Sequence, residues 1–306
     1  MSGGAVLPTP PATPALNPAG IASAARTLLE DGYELWLASN ETVIRTLELE
    51  PCGVPIAPLD FLGPYDHSWK LEDLMRVYNV LNATAFGPKG IPLPNWVMID
   101  LGLLPSAFLL VTLPKERVAA ELTDPRHSDA DRERLGLVLP AVLAEAQRLH
   151  YDGPIPVAGY CAAPTPAPGA WVGWSLCSAI PGLGTVAKGL ALEAYRAKTL
   201  AGVAQFYDRA LRVHRKFGPM EIVAAVLDLH PVKHTMAYRT QVFGSGVGGD
   251  RGGASRTLML DARDLEAQWE LQRRIDTGRS RFFILSPGLV NDRVPILEIA
   301  TDNAGT

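Results

Sequence analysis

The 306-residue sequence predicts an α/β fold, more strictly α+β, with a mixed, mostly antiparallel sheet flanked by helices. Three observations carry that prediction. Two apolar runs of strand length, 156–162 and 171–180, are joined by the proline-rich turn PTPAPG. Beyond them, helix-like and strand-like segments alternate as helix 183–197, strand 199–206, helix 208–217, strand 220–229 and strand 235–243. Upstream, the stretch from Lys70 to Phe86 sets Leu71, Leu74, Met75, Tyr78, Leu81 and Ala85 on one face at helical spacing, the pattern of a helix with one buried stripe.

The remaining elements follow in chain order. MSGGAVLPTPPATPALNP lacks a basic region followed by an apolar core, so it reads as a proline-rich leader rather than a secretory signal. Its composition offers too little apolar surface to order itself. A first helix spans Pro18 to Asp31, with proline near its start and Gly32 just past its end. Tyr33 to Ala38 is a short strand, 39–50 is open between helix and strand, and Pro51 to Trp69 is irregular. After the helix ended by GPKG, the runs NWVMIDLG and SAFLLVTLP read as two strands broken at Leu104-Pro105. A patch of mixed charge from Lys115 to Arg134 leads into a helix at 136–150. Gly244 to Ser255 reads as a flexible linker. Its literal GxGxxG (Gly244, Gly246, Gly249) does not open a helix, as a dinucleotide site requires. Residues 256–306 carry a helix at 261–277 and the strands RFFILS and VPILEIA. The expected plan is a leader (1–18), an N-terminal extension (19–65), a main domain (66–245), a linker (246–255) and a C-terminal extension (256–306).

A net charge of −4 argues against nucleic acid or an anionic membrane as the main partner, because either favours a basic surface. The cluster Arg273, Arg274, Arg279 and Arg281 reads as a solvated helix face. Cys52, Cys161 and Cys177 show no CxxC spacing, and the last two sit in apolar runs, so buried free thiols and a reducing, cytoplasmic setting are expected. No run reaches the roughly 18 apolar residues of a membrane span.

The chemistry concentrates at 156–230. The second apolar run leads into Gly182-Leu183-Gly184, and Thr185-Val186-Ala187 continue as a helix. A strand feeding a glycine-opened helix presents unpartnered first-turn N–H groups, and the positive end of the helix dipole, to an anion. This stretch resembles the CoA-binding half of the GNAT-type N-acyltransferases. In that family a strand with a splayed bulge precedes an Arg/Gln-x-x-Gly-x-Gly/Ala loop whose amides bind the CoA pyrophosphate. The glycines match at Gly182 and Gly184, while the basic or amide position falls on Ala179, leaving Lys188 as a partial substitute. Gln205 to Gly218 is similar to the family's second hallmark: Ala210, Val213, Lys216 and Gly218 match, Tyr207 stands at the asparagine position, and His214 takes the place of the tyrosine that reprotonates the leaving thiolate.

The resemblance implies an acyl-CoA-dependent N-acyltransferase in which an acceptor amine attacks the thioester directly. The donor would be acetyl-CoA or a longer acyl-CoA, with no metal. The donor would contact Cys177, Ala179, Gly182, Leu183, Gly184, Thr185, Lys188 and Tyr207, with a backbone amide between Cys177 and Ala179 polarising the thioester carbonyl. His214 would be the acid, and Asp100 the base from the strand VMIDLG. Tyr160 and Ser175 would line the acceptor pocket, the acceptor being a small-molecule or peptide amine. A homodimer stays open. The missing Arg/Gln and tyrosine also leave open a non-catalytic binding or assembly protein, or a carrier-protein-linked donor.

Other chemistries fit less well. Gly173-Trp174-Ser175-Leu176-Cys177 lacks the second glycine that the tight nucleophile elbow of hydrolases needs. His230 and His234 have metal-ligand spacing for a helix, but Pro231 and strand-like flanks break the shared face.

Overall fold

The computed structural model describes residues 16–244, 255–285 and 293–301. The chain is mixed α/β, with mostly antiparallel strands and flanking helices. Most of the expected leader and linker lie outside the described residues. Two compact units divide the described chain, one formed by 17–200 and one by 201–306 together with the segment up to Leu16. The division falls inside the expected main domain at 66–245.

In the 17–200 unit the elements are α1 (Pro18–Glu30), β1 (Glu34–Ser39), α2 (Glu41–Ile44), β2 (Ala57–Asp60), α3 (Leu71–Phe86), α4 (Asn95–Leu103), β3 (Ala107–Leu113), α5 (Lys115–Thr123), α6 (Asp129–Arg148), β4 (Ile155–Pro164), β5 (Ala170–Ser178) and α7 (Leu183–Ala194). The strand order is β2-β1-β3-β4-β5. Only β2 runs parallel to its neighbour; β1, β3, β4 and β5 alternate direction. Helices cover both faces, so β3 is buried at every position, which is why AFLLVTL is apolar throughout instead of alternating. The α3 face is marked by Tyr78, which packs where a side chain on Gly159 would stand. On the opposite face α7 packs on β3 and β4, and Gly189 lets Ile21 of α1 approach it.

Two segments differ from the sequence expectation here. NWVMIDLG is the helix α4, not a strand; Met98 and Leu101 are buried, whereas Trp96 and Leu103 reach solvent. A short run apolar almost all round has no periodicity to separate the two states. The charged patch holds a further helix, α5, and α6 starts earlier than 136, at an N-cap where Ser128 accepts from Asp131 N–H. The irregular stretch before Trp69 also contains the short strand β2.

The 201–306 unit takes up β6 (Thr199–Gln205, whose first two residues precede it), then α8 (Ala210–His214), β7 (Met220–Ala224), β8 (Thr235–Gln241), β9 (Ser255–Asp261), α9 (Leu265–Asp276), β10 (Ser280–Ile284) and β11 (Arg293–Ala300). Its strands lie in the order β6-β8-β7-β10-β11-β9. The C-terminal extension is therefore continuous with the hairpin β7–β8, because β10 pairs antiparallel with β7. Phe206, Met220, Tyr238, Phe282, Ile284 and Ile296 form its core with Leu271 of α9. Strand β7 is shorter than 220–229, and β9 was not expected at all.

Candidate functional site

The glycine loop is built as the sequence suggests. Strand β5 ends at Ser178, and Gly182 adopts φ +88° as the N-cap of the twelve-residue α7. That left-handed backbone suits glycine alone. No side chain caps the helix. Thr185 N–H turns back to the Gly182 carbonyl at 2.9 Å, and Leu183 N–H reaches Ile180 O at 3.4 Å. Gly182 is exposed, Thr185 is half-buried, and Leu183 and Gly184 are buried. A side chain on Gly184 would stand 3.3 Å from Ser178 Cβ, so the glycine permits the helix to start close against the strand end. The register of β5 against β4 slips between Cys161 and Ala162, leaving Trp174 as the extra residue of a bulge.

The side chains named for donor binding fare differently. Ala179 is buried, and its N–H is spent on Val157 O at 2.8 Å, so it is not a free polarising donor. Strand N–H groups alternate between edges, which turns the Ser178 N–H away from β4. Lys188 does not stand at the loop. It is fully buried, its Nζ 5.6 Å from the Tyr160 ring centroid, and burial pushes its pKa down to about 7. An ammonium enclosed in this way does not meet a phosphate at an exposed loop.

Cys177 and Ser175 belong to a buried polar cluster under α3. Asn82 Nδ2 donates to Ser175 Oγ at 2.8 Å and lies 3.5 Å from Cys177 Sγ. The Asn82 carbonyl oxygen accepts from Leu93 N–H at 3.3 Å, and the Tyr78 hydroxyl borders the pair without a hydrogen bond among the described residues. Burial holds the Cys177 thiol protonated, with its pKa pushed up to about 11, so it is no thiolate nucleophile. Tyr160 and Ser175 point to opposite faces of the sheet, one beneath α7 and one beneath α3, so they do not line one pocket. Asp100 sits exposed on helix α4 instead of on a strand beside β5, and the strand placement that made it a candidate base is lost.

In the 201–306 unit, His214 is 8 % exposed at the end of α8, its ring 5.2 Å from that of Tyr238. Gly218 closes this segment at φ +144°, and a Cβ there would drive into the Gln241 carbonyl. Tyr207 is half-buried, edge-on to His234 at 6.1 Å and beneath Arg263 at 5.6 Å. His234 bonds Gln268, and His230 is engaged with Val232 and Thr235, so the two histidines are not arranged about a metal.

Sequence reasoning missed one group of potential ligands. The ligand atoms of Glu121, Asp124 and His127 all lie within 4.8 Å of one another. Their spacing across the end of α5 was the available signal. Each is already engaged: Glu121 accepts from Tyr33 Oη at 2.8 Å and pairs with His127 at 3.0 Å, while Asp124 pairs with Arg126, which also holds Asp31. The group acts as a clasp between the α5–α6 turn and the α1–β1 turn, and a cation would have to displace Arg126. No family model matches the chain, and no curated protein matches it.

Proposed function

We propose that the chain is an acyl-CoA-dependent N-acyltransferase with a GNAT-like core, in which the backbone of the Gly182–Thr185 loop receives the CoA pyrophosphate. The observation that carries the reading is the uncapped start of α7, opened by Gly182 at φ +88° directly after a bulged strand. The succession β5, glycine loop, α7, β6, α8, β7 supports it. The acceptor is an amine, and attack on the thioester needs no covalent enzyme intermediate.

A second reading draws on a different observation. No basic side chain projects from the loop, since Ala179 and Lys188 are both buried. A cradle without a cationic clamp favours a carrier-protein-linked donor, or a core that binds without acylating. Calorimetric titration with acetyl-CoA and decanoyl-CoA separates the two. Micromolar binding that is lost in Gly184→Trp and in Thr185→Glu, with unchanged melting of the second variant, supports the CoA enzyme. Absence of binding by both donors to the native chain overturns it.

A further inference from the structure

A cavity of about 410 Å³ opens between α3 and α6 at the end of β5. That volume falls in the range of small-molecule sites, roughly 300–1,000 Å³. Its apolar wall comes from Leu81, Ala85, Pro88 and Val138, and Leu137 stands on its rim, 73 % exposed. Two charged residues line it side by side, Glu133 and Arg134.

These two are unlike their neighbours on α6. Arg132 pairs with Asp129 and Arg148 with Glu145 along the helix surface. Glu133 and Arg134 make no ion pair with any described residue. Arg134 is instead anchored by one Nη2–H bond to the Ser178 carbonyl. A guanidinium carries five donors in a planar fork, so this anchoring leaves N–H groups for a carboxylate. The cavity thus offers one fixed cationic group, one carboxylate and an apolar wall. Ser178 lies between Cys177 and Ala179, the strand end where the thioester is proposed to lie.

We propose that this cavity is the acceptor site and that it takes a free apolar α-amino acid. Its carboxylate sits on Arg134, its amino group on Glu133, and its side chain on the Leu81–Val138 wall. The word acceptor rests on the acyltransferase reading; the binding chemistry does not.

The test is a calorimetric titration of the full chain, without any CoA donor, using L-phenylalanine, 3-phenylpropionate and phenethylamine. L-Phenylalanine should bind at least ~10-fold more tightly than either single-charge analogue. Arg134→Gln should weaken L-phenylalanine and 3-phenylpropionate but spare phenethylamine, and Glu133→Gln should do the reverse for the two analogues. Ala85→Trp, which fills the cavity from the exposed side, should abolish all binding. No binding of L-phenylalanine, or binding indifferent to Arg134→Gln and Ala85→Trp, overturns the proposal. Acyl-CoA titration of the same variants keeps the two readings apart. Donor binding without amino-acid binding removes this site and leaves the enzyme. Amino-acid binding without donor binding leaves the site and removes its role as acceptor.

Discussion

Replacing Lys188 by methionine should stabilise the protein at neutral pH. The methionine keeps an unbranched stem of similar length and deletes only the ammonium head. In the fold, burial lowers the Lys188 pKa from 10.5 to about 7. The gap is 10.5 minus about 7, and at ~1.36 kcal/mol per unit it corresponds to roughly 5 kcal/mol, an order-of-magnitude figure. Since the folded pKa is the lower one, the unfolded chain binds a proton that the folded chain does not across this window. Stability therefore falls as pH is lowered from 10.5 towards about 7, and the loss is complete and constant below it. Over that window the native chain should lose ~1.4 kcal/mol per pH unit relative to Lys188→Met. Urea unfolding of both proteins at several pH values from neutral to strongly alkaline measures this slope difference. Parallel curves for the two proteins, or a variant less stable at neutral pH, would refute the argument that the buried amine is strongly desolvated.

Two further outcomes follow from local geometry. Arg126 holds the Asp124 pKa near 2, below its ordinary 3.8, so this pair contributes stability above about pH 4 that is lost as pH falls towards 2. Asp124→Asn should flatten that part of the acid unfolding curve and lower stability above about pH 4 by a constant amount, without changing the slope there. Gly218→Ala should destabilise by about 1–3 kcal/mol or more, because φ +144° is closed to alanine and the opposing Gln241 carbonyl is backbone that cannot swing aside. A melting temperature equal to that of the native chain would show that this turn is not strained.

The parts of the fold legible in the sequence were those whose periodicity had a single reading. The stripe from Leu71 to Ala85 returned as α3, and the apolar runs around the PTPAPG turn returned as β4 and β5. Gly182 and Gly184 marked the start of α7 correctly, because a left-handed cap and a close helix–strand approach both demand glycine. The failures have physical causes. Asn95–Leu103 is apolar on most sides, so only tertiary packing decided for a helix. Ser255–Asp261 is an edge strand with exposed Ser255, Arg256 and Thr257, and its pairing with β11 is set by a partner distant in sequence. At the site, the loop was legible but the side-chain directions were not. Lys188, one turn into the helix, was expected to reach the loop, yet its place on α7 turns it towards the sheet. Arg134 lay in a patch of mixed charge with nothing to distinguish it from Arg132 until their partners were known.

On the proposed acyltransferase reading, the arrangement of β5 accounts for a donor site that lacks the side-chain signatures of the GNAT-type enzymes. Ser175 and Cys177 face α3 and are tied to Asn82, while Ser178 turns towards the start of α7. Each of these side chains is committed to packing or to the internal polar cluster. What the strand end still presents is backbone: the left-handed turn at Gly182 and the start of α7, where no side chain caps the helix and the Leu183 and Thr185 N–H groups bond the carbonyls of Ile180 and Gly182. Backbone donors are fixed by register and by glycine conformation, so they tolerate a change such as alanine at 179 that removes a basic side chain. They do not tolerate a slip of the strand, since one residue of slip exchanges the two edges and aims Ala179 where Ser178 now stands. The bulge at Trp174 sets the register of everything after it, and for that reason the geometry of β5, more than any single side chain, governs whether this site can hold a thioester.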